Sequence, residues 1–137
     1  MHVDVDPHAT GFTAMLGGLL QANVRANPRK AAAAARTTGS VLVAVTDAGE
    51  EVRLDLDGDR LVVRPGDGRP ADLRLAGTAD VLMGLTTTPL RFGLPDLLSG
   101  GGRQVTGRWI GGGLEISGLP RAAPLLRTTL SLLSVIA

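Results

Sequence analysis

The sequence contains no cysteine and no tyrosine, and its only aromatic residues are Phe12, Phe92 and Trp109. Without cysteine the chain cannot form a disulfide, a thiolate metal site or a cysteine nucleophile. Three aromatic rings also leave almost no platform on which nucleic-acid bases could stack. The formal net charge is only +1, so the protein as a whole does not attract polyanions. We therefore expect no nucleic acid as a partner.

Side chains suited to catalysis are equally scarce. The only histidines, His2 and His8, lie in an N-terminal stretch without apolar periodicity, and the only lysine, Lys30, lies in an alanine-rich segment. No serine occupies a strand-to-helix elbow of the kind that holds a nucleophile. Because general acid–base catalysis needs positioned titratable groups, the sequence predicts a protein that is not an enzyme. It also predicts no cofactor and no bound metal, with the two histidines in a solvated tail.

Two kinds of motif resemble ion-binding loops but are interpreted as turns. The run Asp-Leu-Asp-Gly-Asp at 55–59 has oxygens at alternating positions, as a calcium loop does, yet Arg64 and Pro65 follow where such a loop needs an acidic residue. The glycine triplets at 100–102 and 111–113 lack the pattern of a phosphate-binding loop. We interpret the acidic run as a β-hairpin and the triplets as flexible connectors.

No apolar run is long enough to span a bilayer, and no basic-then-apolar leader precedes a cleavage site. We therefore expect a soluble cytoplasmic protein without integral membrane association. The length of 137 residues and the hydrophobic share of 44% are typical of one globular domain. We expect this domain at 11–137, preceded by a loose N-terminal lead-in at 1–10.

The stretch from Val41 to Leu75 has the pattern of successive short strands. Its first segment, Val41 to Val45, is apolar without alternation, which is typical of an interior strand buried on both faces. Three alternating segments follow, and their apolar positions predict one inner face: Val52, Leu54, Leu56, Leu61, Val63, Leu73 and Leu75. The charged positions predict a solvated outer face on which opposite charges pair across strands: Arg53, Asp55, Arg64, Asp72 and Arg74.

Helical periodicity flanks these strands. A first helix begins near Phe12, and its two glycines, Gly17 and Gly18, indicate that another backbone lies close to it. Asn27 is predicted to cap a second, alanine-rich helix that begins at Pro28. The apolar stripe of the first helix is formed by Phe12, Met15, Leu16, Leu19, Leu20 and Val24.

The C-terminal half is predicted less completely. Thr78 is expected to cap a third helix, and residues 114–118 alternate as a late strand. Residues 124–137 predict a last helix that is apolar over much of its circumference. The spacing within 101–110 fits a helix or a strand, so periodicity leaves that segment undecided.

This order of elements resembles the sterol carrier protein superfamily (type two, non-specific lipid transfer), and in particular its small stand-alone bacterial members. The residues that carry the resemblance are the hairpin at 41–57, the segment Ala-Asp-Leu-Arg-Leu at 71–75 followed by Gly77, and Gly-Leu-Glu-Ile-Ser-Gly at 113–118. The resemblance implies an α+β fold with a largely antiparallel or mixed five-stranded sheet. It also implies helices packed on one face, an apolar tunnel between sheet and helices, no catalytic residues, and a helix at 101–110.

We therefore expect a non-catalytic module that binds a lipid or acyl chain in a hydrophobic cavity between sheet and helices. The alternative is a protein-interaction or homodimerisation module with a solid core, which uses the apolar C-terminal helix. The side chains expected to line the ligand are Met15, Leu19, Leu82, Met83, Phe92, Leu98, Trp109, Leu126, Leu130 and Leu133.

Overall fold

A computed structural model describes residues 1–84, 90–91, 94–95, 115–118 and 121–133. This part of the chain contains eight strands and four helices. The strands are β1 (His2–Val5), β2 (Thr38–Val45), β3 (Glu50–Asp57), β4 (Arg60–Pro65), β5 (Leu73–Gly77), β6 (Leu90–Arg91), β7 (Leu94–Pro95) and β8 (Glu115–Ser117). The helices are α1 (Gly11–Ala26), α2 (Pro28–Ala34), α3 (Ala79–Gly84) and α4 (Ala123–Leu133).

Six of the strands form one mixed sheet in the order β1-β4-β3-β2-β5-β8, and β6 pairs with β7 separately. The strands β2, β3 and β4 form an antiparallel meander, and β8 is antiparallel to β5. Two pairings are parallel, β2 with β5 and β1 with β4. The predicted α+β class with a mixed sheet is confirmed, and the sheet has six strands instead of five.

The additional strand corrects the prediction of a loose lead-in at 1–10. Residues His2–Val5 pair in parallel with β4, and the N–H of Asp6 donates to the carbonyl of Val63 at 2.9 Å. Val3 lies on the inner face and is only 8% exposed. A four-residue strand contains too few alternations to be recognised as periodic, and its partner lies more than fifty residues away. This is why the sequence pattern does not reveal it.

The inner face of the sheet is formed as the alternation predicts. Val43 lies opposite Val52 on one side and Leu75 on the other, and Leu54 lies opposite Val63. These side chains are fully buried, and together with apolar side chains of α1 and α4 they form the hydrophobic core. The β2 strand lies between β3 and β5, and its Leu42 and Ala44 are buried on the opposite face. An interior strand with both faces covered explains its unbroken apolar sequence.

The buried face of α1 differs from the predicted stripe. It consists of Thr13, Leu16, Gly17, Leu20 and Asn23. Met15 is 46% exposed, so its assignment to the buried stripe is wrong. Consecutive helical residues are separated by about 100° around the helix axis, which turns Met15 away from the surface that Leu16 and Leu20 bury.

The short α2 helix begins as predicted. The side-chain oxygen of Asn27 accepts a hydrogen bond from the N–H of Lys30 at 3.3 Å, and Pro28 occupies the first helical position. Ala31 and Ala34 are buried. A hydrogen bond of 3.0 Å between the hydroxyls of Thr37 and Thr128 connects the end of this segment to α4.

The outer face of the sheet contains the predicted pairing but is not simply a solvated surface. Asp55 accepts from Arg53 Nε at 3.2 Å and from Arg64 Nη2 at 2.7 Å. Arg53 is only 7% exposed, because its Nη1 donates to the carbonyls of Arg69 and Pro70 in the loop that follows β4. Arg53 therefore has a structural role, in that it holds this loop against the sheet.

Gly17 and Gly18 provide a matched test of how α1 packs. A Cβ atom at Gly17 would lie 2.7 Å from Cγ2 and 2.8 Å from Cγ1 of Val5, whereas a Cβ at Gly18 would meet nothing within 4 Å. We expect Gly17→Ala to lower the free energy of unfolding by about 1–2 kcal/mol, because the overlap with a stiff valine outweighs the gain in helix propensity. Gly18→Ala is expected to raise it by about 0.5–1 kcal/mol. Urea denaturation of both variants measures the difference, and stabilisation by both would contradict the described contact of α1 with β1.

Candidate functional site

The candidate site is a narrow apolar space between the sheet and the helices, which we call the apolar seam. Its volume is about 10 Å³. Its lining comes from α1, α3, α4 and the adjacent strands β2 and β5, and consists of Phe12, Leu16, Val43, Leu75, Leu82, Met83 and Leu133. Every one of these side chains is apolar, so the seam can recognise a ligand only by shape and hydrophobicity.

The third helix is held at one wall of the seam by two caps. The N–H of Ala79 donates to Oδ1 of Asp47 at 2.9 Å, and the N–H of Val81 donates to the hydroxyl of Thr78 at 3.4 Å. The predicted cap at Thr78 is therefore present, assisted by an aspartate from the β2–β3 turn. This fixes Leu82, which is buried, beside Met83, which is 38% exposed. Met83 thus extends from the seam to the surface.

The first and last helices are each fixed by a polar contact near the seam. At the start of α1, the N–H of Phe12 donates to Oε2 of Glu50 at 2.9 Å. Further along α1, Nδ2 of Asn23 donates to the carbonyls of Leu132 at 2.8 Å and Leu133 at 3.2 Å. The buried Asn23 amide therefore holds the end of α4 against α1 and sets the position of Leu133. Local sequence patterns do not indicate this contact, because Asn23 and its partners are more than one hundred residues apart.

The size of the seam limits what it holds without rearrangement. A volume of about 10 Å³ is roughly that of one water-sized sphere, whereas ligand pockets usually enclose about 300–1,000 Å³. An acyl chain could therefore enter only if side chains moved aside. Met83 is the wall residue best suited to this, since its unbranched thioether side chain adapts readily to different shapes.

The structure places the ten predicted ligand-lining residues in different environments. Leu82, Met83 and Leu133 line the seam. Leu126 and Leu130 are buried in the core but do not line it, and Leu19 is half-buried. Met15 is exposed and does not line the seam. Phe92, Leu98 and Trp109, together with the undecided segment 101–110, lie outside the described residues.

The lining residues missing from that prediction are Phe12, Leu16, Val43 and Leu75. Phe12 and Leu16 belong to the predicted stripe of α1, and Leu75 belongs to the predicted inner face of the sheet. Val43 lies in the segment predicted to be buried on both faces. Which members of those faces meet depends on how the helices cross the sheet, and this is not encoded in local spacing.

Two further properties of the described residues bear on the site. None of the helices in the described ranges is long and apolar enough to cross a membrane. Within the same ranges, no group of three histidine, cysteine, aspartate or glutamate side chains comes together as a metal-ligand set would require.

Comparisons with known proteins identify the fold. No protein-family model and no curated protein matches the chain. Among solved structures, one described as "UbiJ-SCP2 Ubiquinone synthesis protein" is similar with a TM-score of 0.60 and 21% identity, covering 88% of this chain and 91% of the other. A solution structure from Thermus thermophilus, described as a conserved hypothetical protein and possibly sterol carrier protein, has a TM-score of 0.50 and 20% identity and covers 85% and 82% of the two chains. The chain therefore has the fold of the sterol carrier proteins.

Proposed function

We propose that this chain is a non-catalytic module that binds a lipid-like apolar ligand between its sheet and its helices. The observation that carries the proposal is the apolar seam, which lies between the two layers of a sterol-carrier-like fold. None of the described residues that line it has a polar side chain. The description of one similar structure as possibly a sterol carrier protein agrees with this direction.

Binding at the seam follows from the hydrophobic effect. An acyl chain that leaves water gains about 0.8 kcal/mol per buried methylene group. Part of this gain is used to displace Met83 and the neighbouring Phe12, whose side chains occupy the wall. Because both side chains lie at the edge of the core, they can move with less loss of packing than Leu75, which is fully buried in the sheet.

A solid-core interaction module is the second candidate, and the small volume of the seam favours it. However, the described part of the C-terminal helix does not form the dimerisation surface that the sequence predicts. Five leucines of α4 are buried within the chain itself: Leu125, Leu126, Leu130, Leu132 and Leu133. They form part of the core, so in the described part of α4 they do not supply an outer apolar surface for a second copy.

The three methionines allow the two candidates to be separated in one experiment. Met1, Met15 and Met83 are the only methionines in the sequence, and of these only Met83 lines the seam. With ¹³C-methyl-labelled methionine and delipidated protein, titration with a C16 fatty acid is expected to shift the Met83 signal. The Met15 signal serves as an internal control, since that side chain is exposed elsewhere on α1.

A matched pair of variants tests the location. Met83→Ala removes a side chain that the ligand must displace, so it is expected to lower the dissociation constant by about threefold or more. Met15→Ala is expected to leave the dissociation constant unchanged. If fatty acids, acyl-CoA and sterols all leave the Met83 signal unmoved, the lipid-binding proposal is wrong and the solid-core candidate stands.

A further inference from the structure

A second concave surface lies between β1 and the helices α1 and α2. We call it the β1 groove. Its volume is about 540 Å³, and Met1, His2 and Val3 form its strand side, whereas Gln21, Arg25 and Ala31 are among the residues on its helical side. This volume lies within the usual range for binding clefts. The apolar seam is separate from it, because the two share no lining residue.

One side of the groove is a sheet edge with outward-facing hydrogen-bonding groups. β1 is the terminal strand of the described sheet, where its partner strand is β4. The N–H of His2 donates to the carbonyl of Asp59 at 2.6 Å, and that of Asp6 donates to Val63 at 2.9 Å. Because hydrogen-bonding direction alternates along a strand, the backbone groups of Val3 and Val5 face away from β4.

Most of these outward N–H and C=O groups have no hydrogen-bond partner among the described residues. Among the described residues, only Gln21 reaches this edge, and its Nε2 donates to the carbonyl of Val3 at a long distance of 3.4 Å. A terminal strand with outward N–H and C=O groups can pair with an additional strand. Gln21 is exposed on α1, so an incoming strand could replace its weak contact.

The described residues that line the groove include one arginine, Arg25, and no carboxylate. Between Asp6 and Asp47 the sequence has no acidic residue, whereas Arg25, Arg29 and Arg36 lie on or beside α1 and α2 and are exposed. The one carboxylate of β1, on Asp4, pairs with Arg60 at 2.6 Å and with His2 at 2.8 Å. The hydrogen bond from Arg60 is the main reason why the pKa of Asp4 is lowered. The negative charge of β1 is therefore engaged within the strand pair, and among the described residues Arg25 is the arginine that lines the groove.

We propose that the β1 groove docks an extended, acidic segment of a partner protein, which adds as a strand to the outer edge of β1. Backbone hydrogen bonds to Val3 and Val5 provide the attachment, and Arg25 selects for negative charge. This goes beyond lipid binding and does not depend on it. A partner protein fits better than an anionic bilayer, because Met15 and Met83 are the large apolar side chains exposed in the described part of the chain, and neither lines the groove.

A synthetic peptide tests the proposal with the full chain. The probe is an acetylated and amidated peptide of three Val-Glu repeats, followed by ¹H–¹⁵N and methionine-methyl NMR. The amide signals of Val3 and Val5 and the methyl signal of Met1 are expected to shift, while the Met83 signal stays in place. The same peptide N-methylated at alternate residues cannot donate along the strand and is expected not to bind, and a Val-Lys peptide is expected to bind more weakly.

Two variants make the test specific. Arg25→Gln is expected to weaken binding by about three- to tenfold, whereas Arg127→Gln, an exposed arginine of α4 outside the groove, is expected to have no effect. The proposal is overturned if no peptide perturbs Val3 and Val5, or if the N-methylated peptide binds equally well. It is also overturned if Arg25→Gln abolishes binding to phosphatidylglycerol vesicles while the peptide does not bind, since the groove would then face a membrane.

Discussion

Replacing Gly118 with alanine is expected to lower the free energy of unfolding by about 3 kcal/mol or more. An alanine there would be held in an unfavourable backbone conformation, and its methyl group would overlap a neighbouring strand. Gly118 follows β8 with a φ of +113°, a conformation that L-residues rarely adopt. A Cβ atom there would also overlap the carbonyl oxygen of Asp72 and lie 3.3 Å from Cα of Leu73. Both obstacles are backbone atoms, so they cannot move aside as the end of a flexible side chain could.

Gly49 is the matched control, because it shares the positive φ but not the crowding. Its φ is +66°, and a Cβ atom there would meet nothing within 4 Å. Gly49→Ala is therefore expected to cost only about 1 kcal/mol, the usual penalty of a left-handed conformation. Urea denaturation monitored by circular dichroism measures both variants. Equal effects would mean that the residues after β8 shift to relieve the overlap, and would contradict the close approach of Gly118 to the start of β5.

Gly118 also has a structural role in the motif on which the resemblance to sterol carrier proteins partly rests. The motif at 113–118 ends in Gly118, and its strand pairs Ile116 with Leu75. Leu75 in turn lines the apolar seam. The glycine thus allows the last strand to lie against β5 and complete the floor beneath the helices. Ile116 and Gly118 are the two positions of this motif that have such a geometric reason.

The parts of the fold that can be predicted are those determined by neighbours along the chain. Strand β2 follows from a continuous apolar segment, β3 to β5 follow from alternation and turn glycines, and the start of α2 follows from Asn27 and Pro28. In each case the physical cause, an apolar run, a two-residue period or a cap, lies within a few residues of its effect. The inner face of the sheet, which supplies the floor of the apolar seam, is predictable for the same reason.

The parts that cannot be predicted depend on residues far apart in the chain. The pairing of β1 with β4 and of β2 with β5 is parallel and non-local, and no short pattern specifies the partner of a strand. The β1 groove escapes sequence analysis because the pattern of residues 1–10 indicates a solvated tail. Met15 is misplaced because the predicted stripe is wider than the face that α1 buries.

Asn23→Asp is expected to be strongly destabilising at neutral pH, although the two side chains have the same shape. The amide of Asn23 donates to the carbonyls of Leu132 and Leu133 and is 9% exposed. A carboxylate has no proton to donate and would place a buried negative charge against two carbonyl oxygens. Removing one partner of a buried polar contact costs about 1–3 kcal/mol, and more when a charge remains. We expect a loss of about 3–5 kcal/mol in the free energy of unfolding at pH 7.

The pH dependence identifies the cause. When protonated, the new carboxyl can donate to one of the carbonyls, so burial and the carbonyl oxygens raise its pKa in the folded state above the unfolded value of about 3.9. A raised folded pKa means that the variant is closest to the wild type below that unfolded value. The difference in the free energy of unfolding between wild type and variant then grows as the pH rises, and it reaches its full size above the folded pKa. Urea denaturation between pH 4 and pH 8, with the wild type measured in parallel, gives this difference directly.

Asn27→Asp serves as the control with the same chemical change. The oxygen of Asn27 accepts a hydrogen bond from the N–H of Lys30 at the start of α2, and a carboxylate accepts equally well next to the positive end of the helix dipole. Asn27→Asp is therefore expected to be neutral or stabilising by a few tenths of a kcal/mol at pH 7. If both variants behaved alike, Asn23 would not be the donor that holds α4 against α1. The opposite responses expected of two asparagines on neighbouring helical turns follow from one difference, that Asn23 donates its amide protons and Asn27 offers its oxygen.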